Sequence, residues 1–259
     1  MRTQIQTATT VAAVAAVLAA LTLARAAVAE PVETRVFSSA APRAILREIA
    51  PVFERMTGHQ LVVEYAFAAD LKRRIEAGNP FDVAILPPDM ADDLAGRDKL
   101  VAGSRVDLGR TGLGVAVRRG APLPDIGTVD AFRRALLTAP MVAYADGGAS
   151  GLQFHGILTR LGIAEAMKSK LRPYPTGGAI EAVARGEADL VVIGVSPILD
   201  VSAVELVGWL PAELQTYIVY TGNVGVAATQ PQAARTLLSL LTSPAAIELF
   251  KSRGFEPAR

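Results

Sequence analysis

Glycines and small polar residues are concentrated where a strand-like run passes directly into a helical pattern. The fullest example follows the apolar run Met141–Tyr144, where Gly147–Gly151 precedes a helix predicted from Leu152. Backbone N–H groups at a helix start lack internal partners and lie at the positive end of the helix dipole. With the Ser150 hydroxyl, they would form a binding site for a small anion. An ordinary capped helix start has the same composition and remains the alternative.

Three further turns share this character. They are Ser38-Ser39, Thr176-Gly177-Gly178, and Gly194-Val195-Ser196-Pro197, each after a strand-like run. If the turns converge, they supply neutral donors that hold an anion strongly but reversibly. We therefore predict one anion site that includes the following residues: Ser38, Ser39, Ser150, Gly151, Thr176, Gly177 and Gly194.

Hydrolytic, metal and dinucleotide chemistry fit this sequence poorly. A serine-nucleophile turn needs Gly-x-Ser-x-Gly, but Gly151 follows Ser150 directly. His155 lies only five residues beyond Ser150, inside the helix that follows it, whereas triad members come from separate elements. The other histidine, His59, is distant and cysteine is absent, so we expect no metal site. The glycine-rich run at 109–114 precedes a strand instead of following one, and we expect no cofactor.

Arginines decide which anion would suit the site. Arg43 begins the helix after Ser38-Ser39, and Arg74 lies on a helix predicted to start at Leu71. An arginine that reached the site would favour a carboxylate through bidentate pairing. A solvated helix face is the alternative for both.

The N-terminal residues have the features of a secretory signal. Arg2 supplies a positive charge, Val11–Leu23 is almost wholly apolar, and Ala27-Val28-Ala29 has the form of a cleavage site. Removing residues 1–29 would leave 24 basic against 25 acidic residues. That balance argues against nucleic acid and against an anionic membrane surface.

Short strand-like runs alternate with amphipathic helical patterns through the rest of the chain. One predicted strand is Gly112–Val117, and a later one is Asp189–Ile193. Such alternation predicts parallel α/β sheets, with the connections at the carboxyl ends of the strands lining any site. The unit of strand, small-residue turn and helix occurs near Ser38 and again near Ser150, which suggests two α/β lobes facing each other.

These runs resemble the molybdate-binding family of type II periplasmic solute-binding proteins. The resemblance is carried by the strand into Ser38-Ser39-Ala40-Ala41, by Leu71–Asp82, by Asp189–Gly194, and by the ending Leu240–Phe255. It implies two α/β lobes joined by two crossover strands, with ligand in the cleft between them. It also implies hinge closure around the ligand and delivery to an ABC transporter permease.

The molybdate pattern itself is incomplete. Ala41 stands where the family offers a serine, and Ala68 and Ala69 stand where a second serine is expected. We include Ala68 and Ala69 among the ligand-binding residues by their position. Gly194 takes the place of an expected tyrosine. These losses leave room for a larger anion than molybdate or tungstate, such as a small polycarboxylate.

That departure raises an enzymatic alternative. Aconitate isomerase is an exported enzyme similar to the same family. Moving a double bond in a tricarboxylate needs an acid or base at an allylic carbon, and cations for the carboxylates. Residues with such side chains near the predicted site are Arg43, Arg74, Ser150 and His155.

The sequence therefore predicts a periplasmic, monomeric solute-binding protein with three segments. Residues 1–29 form the signal peptide, 30–113 plus 215–259 form lobe 1, and 114–214 form lobe 2. The predicted partners are a small anionic ligand and a transporter permease.

Overall fold

The computed structural model describes residues 31–175 and 177–258. The predicted signal segment and Thr176 lie outside the described residues. Within these ranges the chain forms nine strands, β1 to β9: Glu33–Ser38, Gln60–Tyr65, Val83–Leu86, Val106–Arg118, Val142–Ala145, Leu171–Tyr174, Leu190–Gly194, Val204–Trp209 and Tyr217–Val224.

Ten helices accompany these strands in the described ranges. In chain order, α1 to α10 cover Arg43–Thr57, Ala68–Glu76, Pro88–Ala95, Val129–Thr138, Ala149–Arg160, Ala164–Met167, Gly178–Arg185, Val195–Leu199, Pro231–Leu241 and Pro244–Ser252. In the part of the chain that is described, none of them is long and apolar enough to cross a membrane.

Helix α5 begins at Ala149, three residues before the predicted start at Leu152. Gly148, in an extended conformation, is its N-cap, so Ser150 and Gly151 lie inside the first turn. Position 151 requires glycine, because a Cβ on this residue would lie 2.0 Å from the carbonyl O of Ala145. Helix α2 likewise begins earlier than predicted, at Ala68 instead of Leu71.

Strand β4 is much longer than the predicted Gly112–Val117. Its first half was missed because polar residues interrupt the apolar pattern and because the pairing with β9 is irregular between Asp107 and Gly109. Gly109 has φ 139°, and a Cβ there would come within 2.8 Å of the carbonyl O of Glu256. This position therefore requires glycine.

The strands form one mixed sheet in the order β2-β1-β3-β9-β4-β7-β5-β6, with β8 also paired to β4. β1 pairs in parallel with β2 and β3, and β5 pairs in parallel with β6 and β7. The central strands β9 and β4 run antiparallel to their neighbours. Helices at both ends of this sheet therefore begin at the carboxyl ends of parallel strands, as the alternating pattern predicts.

Strand β4 belongs to both ends of the sheet. Its residues up to Gly112 pair with β9, and those from Leu113 pair with β7 and β8. The buried hydrophobic residues follow the same division. Two core clusters come from residues 36–108 and 218–255. The other two come from residues 113–214.

Candidate functional site

A small cavity lies where the starts of several helices meet. It encloses about 80 Å³, which is room for about three waters at the roughly 30 Å³ that each occupies in the liquid. Its lining includes Ala41 before α1, Ala68 at the start of α2, Ser150 in α5, Gly177 before α7 and Gly194 before α8. The cavity therefore draws residues from both ends of the sheet.

The helices that start at the cavity have no side-chain caps. The N-cap residues of α1, α2, α5 and α7 are Pro42, Phe67, Gly148 and Gly177, and none of them bonds a backbone N–H through its side chain. In α5 the intrahelical bonds begin with Leu152, whose N–H donates to the carbonyl O of Gly148 at 3.0 Å. The earlier N–H groups of α5 therefore have no acceptor within the helix.

Two helices that start elsewhere are capped in the usual way. Thr128 Oγ1 accepts from Ala131 N at the start of α4, and Ser243 Oγ accepts from Ala246 N at the start of α10. Helix α9 begins with Pro231 after Gln230 and has no side-chain cap, although it does not face the cavity. Both side-chain caps of the described helices thus lie away from the cavity, and each helix that opens onto the cavity lacks one, as do α6 and α9 elsewhere.

One hydroxyl in the cavity wall has no partner. Ser39 is only 9% exposed, and its Oγ makes no hydrogen bond. The neighbouring Ser38 differs, since its Oγ donates to the carbonyl O of Ser39 at 2.8 Å. A buried polar group without a partner costs free energy, which a ligand atom at Ser39 Oγ would recover.

The cavity wall carries almost no ionisable side chain. Among the described lining residues, Tyr220 is the only one that can titrate. Burial raises the pKa of Tyr220, so its phenol stays protonated at neutral pH and can act as a hydrogen-bond donor. The remaining side chains are hydrocarbon or hydroxyl, among them Ile193, Ile218 and Pro87. An anion here would meet helix dipoles and hydrogen-bond donors instead of a cation.

Phe67 closes one side of the cavity. Its ring lies against the glycine turn before α5, and a Cβ at Gly148 would come within 2.9 Å of Phe67 Cε1. Phe67 also packs against a core cluster formed by residues of 113–214. This aromatic side chain thus spans from the start of α2 to the start of α5.

A family model for bacterial extracellular solute-binding proteins matches residues 34–256. The chain belongs to this family. The predicted resemblance to molybdate-binding-like solute-binding proteins is therefore confirmed.

Two curated relatives of this chain differ in function. Over 236 residues the chain is 34% identical to an aconitate isomerase from Pseudomonas sp, which covers 88% of this chain and 90% of that protein. It is 28% identical over 235 residues to the molybdate-binding protein ModA of Escherichia coli strain K12, covering 88% and 91%. One family thus contains both a binding protein and an enzyme.

The solved structures establish the fold. The periplasmic molybdate-binding protein of Azotobacter vinelandii superposes with a TM-score of 0.76, covering 87% of this chain and 100% of that chain at 20% identity. The predicted fold class, a type II periplasmic binding protein fold, is confirmed. At this identity the likeness concerns the fold and not the ligand.

The structure brings five of the predicted ligand-binding residues together at the cavity. They are Ser39, Ala68, Ser150, Gly177 and Gly194. Three other predicted residues do not line the cavity, although each is adjacent in sequence to a residue that does. They are Ser38, Ala69 and Gly151. Thr176 lies outside the described residues. The structure gives Ser38 and Gly151 other roles, in a hydrogen bond to Ser39 and in close packing against Ala145.

Of the residues named for the enzymatic alternative, only Ser150 lines the cavity. Arg74 forms an ion pair with Glu64, and His155 is exposed on α5 with its ring edge-on to Tyr144 at 4.9 Å. The Arg43 guanidinium lies 4.4 Å from the centre of the Tyr65 ring and lines a neighbouring groove. Within the described chain we find no group of three or more acidic or histidine side chains that could hold a metal.

The residues that sequence reasoning missed are mostly hydrocarbon. Phe67, Pro87, Ile193 and Ile218 contribute walls, and Tyr220 contributes a hydroxyl from the last strand. Ile218 and Tyr220 are two positions apart on β9, so they share a face of the sheet. Nothing in their residue types indicates a ligand, and only the position of β9 in the sheet places them at the site.

Proposed function

We propose that this protein is a periplasmic solute-binding protein that captures a small anion in the cavity and delivers it to an ABC transporter. The anion is an oxyanion of the molybdate or tungstate type, or a small polycarboxylate. The observation that carries the proposal is the convergence of uncapped helix starts on a cavity with a buried, unpartnered Ser39 hydroxyl. Export through a cleaved segment 1–29 and a monomeric state belong to the same proposal.

The proposed mechanism is closure of two lobes, 30–113 with 215–259, and 114–214, around the anion. Its support is the pairing switch in β4 after Gly112 and the matching division of the core clusters. Several polar contacts cross between these segments, and two of them join α1 and the turn before it to α8 and its C-terminal end. Ser196 Oγ donates to the carbonyl O of Ala41 at 2.8 Å, and Arg47 pairs with Asp200 at 2.6 Å. A ligand held by both segments would add to these contacts and favour the closed arrangement.

A thermal-shift screen tests the proposal directly. Molybdate, tungstate, sulfate, citrate and the two aconitate isomers would each be added to the purified protein. A ligand that binds only the folded state at about 100 times its Kd stabilises that state by about 2.7 kcal/mol, so at least one anion should raise the melting temperature. If none of these anions shifts it, the cavity is not an anion site.

The second candidate is an isomerase that moves the double bond of a tricarboxylate. It is favoured by the 34% identity to the Pseudomonas aconitate isomerase over nearly the whole of both chains. The cavity offers little for proton transfer, since Tyr220 is the only titratable group in its described lining and stays protonated. Solute binding is therefore the function that this geometry supports best.

Incubation with cis-aconitate separates the two functions. The purified protein would be incubated with cis-aconitate and the solution followed by proton NMR. Solute binding predicts no trans isomer above the uncatalysed background. Formation of the trans isomer in proportion to protein, and its loss in Ser150→Ala, would instead establish the isomerase.

A further inference from the structure

A second hollow lies next to the cavity. This groove encloses about 100 Å³ and shares Ala40, Ala41, Gly177 and Pro197 with the cavity wall. Because the two spaces have common walls and similar volumes, one extended ligand can place a group in each. The groove differs from the cavity in chemistry, since its lining contains ionisable side chains.

Three charged residues line the groove: Arg43, Glu181 and Asp200. Asp200 is held by Arg47, whose two terminal nitrogens lie 2.6 and 3.5 Å from its carboxylate oxygens. Glu181 lies 3.7 Å from Arg185, which it shares with Glu187. Both carboxylates of the groove therefore have a basic partner already.

Arg43 has no such partner among the described residues. It takes part in none of the ion pairs of this region, and its guanidinium is exposed and stacked over the Tyr65 ring at 4.4 Å. The stacking restrains the side chain while leaving its N–H donors open to a ligand. A guanidinium with its five donors matches a carboxylate in bidentate geometry.

We propose that the groove is a second subsite for the same ligand, and that the ligand is an organic dicarboxylate or tricarboxylate. This inference rests on the proposed function. One carboxylate lies in the neutral cavity against the helix starts, and a second lies in the groove against Arg43. The short hydrocarbon body between them lies against the shared walls of alanine and proline. A single tetrahedral oxyanion fills only the cavity and gains nothing from Arg43.

Calorimetric titration with matched acids tests this division of roles. Butyrate and succinate have the same carbon number but one and two carboxylates, and valerate and glutarate form a second such pair. We expect the wild-type protein to bind at least one diacid about tenfold or more tightly than its monoacid, which is the usual range for a hydrogen-bonded charge pair. Tricarballylate and molybdate complete the set.

Arg43→Gln is the informative variant. It should remove most of the preference for the diacid, a loss of about tenfold or more, and leave the affinity for the monoacid and for molybdate within about twofold. Arg43→Lys should restore part of the preference, because the charge returns without the bidentate geometry. Arg55→Gln, the same change in the last turn of α1 and outside the groove, should behave like the wild type.

The outcomes distinguish this inference from the proposed function. If molybdate binds and no diacid or tricarballylate does, or if Arg43→Gln weakens all ligands equally, the groove subsite is wrong and the anion cavity stands. Equal affinities for monoacids and diacids in the wild type would also overturn it. If no anion of the set binds, the proposed function fails as well.

Discussion

At the scale of single residues, the two adjacent serines after β1 have different roles. Ser38 is fully buried and uses its hydroxyl within the protein, on the carbonyl O of Ser39. Ser39 holds its hydroxyl in the cavity wall without a partner. One of them stabilises the turn, and the other is available to a ligand.

The substitution Ser39→Ala should lower the affinity for the captured anion by about tenfold or more, as expected for loss of a hydrogen bond to a charged group. The stability of the ligand-free protein should stay unchanged or rise slightly, because the hydroxyl that is removed has no partner. Isothermal titration and chemical denaturation measure the two quantities.

Ser38→Ala is the matched control. It should lower the free energy of unfolding by about 1 kcal/mol through loss of its hydrogen bond to Ser39. Ser38→Ala should lower the affinity for the anion less than Ser39→Ala does. The reverse order of affinities would assign the ligand contact to Ser38.

Tyr220 gives the protein an alkaline limit. Burial raises its pKa in the folded state above the value of about 10 in the unfolded chain. Its contribution to stability is therefore fully present below about pH 10 and is lost as the pH rises through the folded pKa. Tyr220→Phe should flatten the fall in the free energy of unfolding above about pH 10, measured by urea denaturation. An unchanged slope would mean that other groups set this limit.

At the scale of elements, the site is built from the junctions between strands and helices. Helix α5 shows the steric requirement most clearly, because it lies so close to the end of β5 that position 151 admits no side chain. The close approach brings the first turn of the helix and Ser150 to the cavity wall. Packing at Gly151 therefore positions donors that lie one and two residues earlier.

Two glycines of α5 should respond oppositely to the same substitution. Gly151→Ala places a Cβ 2.0 Å from the carbonyl O of Ala145, so it should lower the free energy of unfolding by at least about 2 kcal/mol. Gly156→Ala meets nothing within 4 Å and is exposed, so it should raise stability by about 0.5–1 kcal/mol. Thermal or urea denaturation of the two variants decides the point, and equal effects would contradict this packing.

The sequence indicated where these junctions lie but not how they combine. Glycine and serine turns between a strand-like run and a helical pattern mark single helix starts, and that local signal located Ser39, Ser150, Gly177 and Gly194. The order of strands in the sheet decides which junctions meet, and no local pattern encodes it. The hydrocarbon walls from Phe67 and β9 were missed for the same reason.

At the scale of the whole molecule, strands, packing contacts and hydrogen bonds join the segments that we propose as lobes around the cavity. Strands β4 and β9 run through the middle of the sheet, while Ser196 and Asp200 reach across to α1 and the turn before it. The Arg47–Asp200 pair is largely exposed on the arginine side and contributes little by itself. The buried Ser196 hydroxyl contributes more per contact.

Ser196→Ala should weaken closure and so lower the affinity for the best anion of the screen by roughly two- to tenfold, since it leaves the carbonyl O of Ala41 without this donor. Solution scattering of the ligand-free variant should show a larger radius of gyration than that of the ligand-free wild-type protein. Ser252→Ala removes a bond of the same kind, to Leu249 O within the end of α10, and should change neither quantity. If both variants bind equally well, closure does not depend on this contact.

The neutral lining of the cavity has a consequence for the electrical state of the loaded protein. A site with titratable groups can take up protons when an anion binds, but in the described lining of this cavity only Tyr220 can titrate, and it stays protonated. After the proposed removal of residues 1–29, the chain has 24 basic and 25 acidic residues, a formal net charge of −1 at pH 7. An inorganic dianion held only in the cavity would therefore bring the formal net charge from −1 to about −3, and loaded and empty molecules would separate on an ion-exchange column.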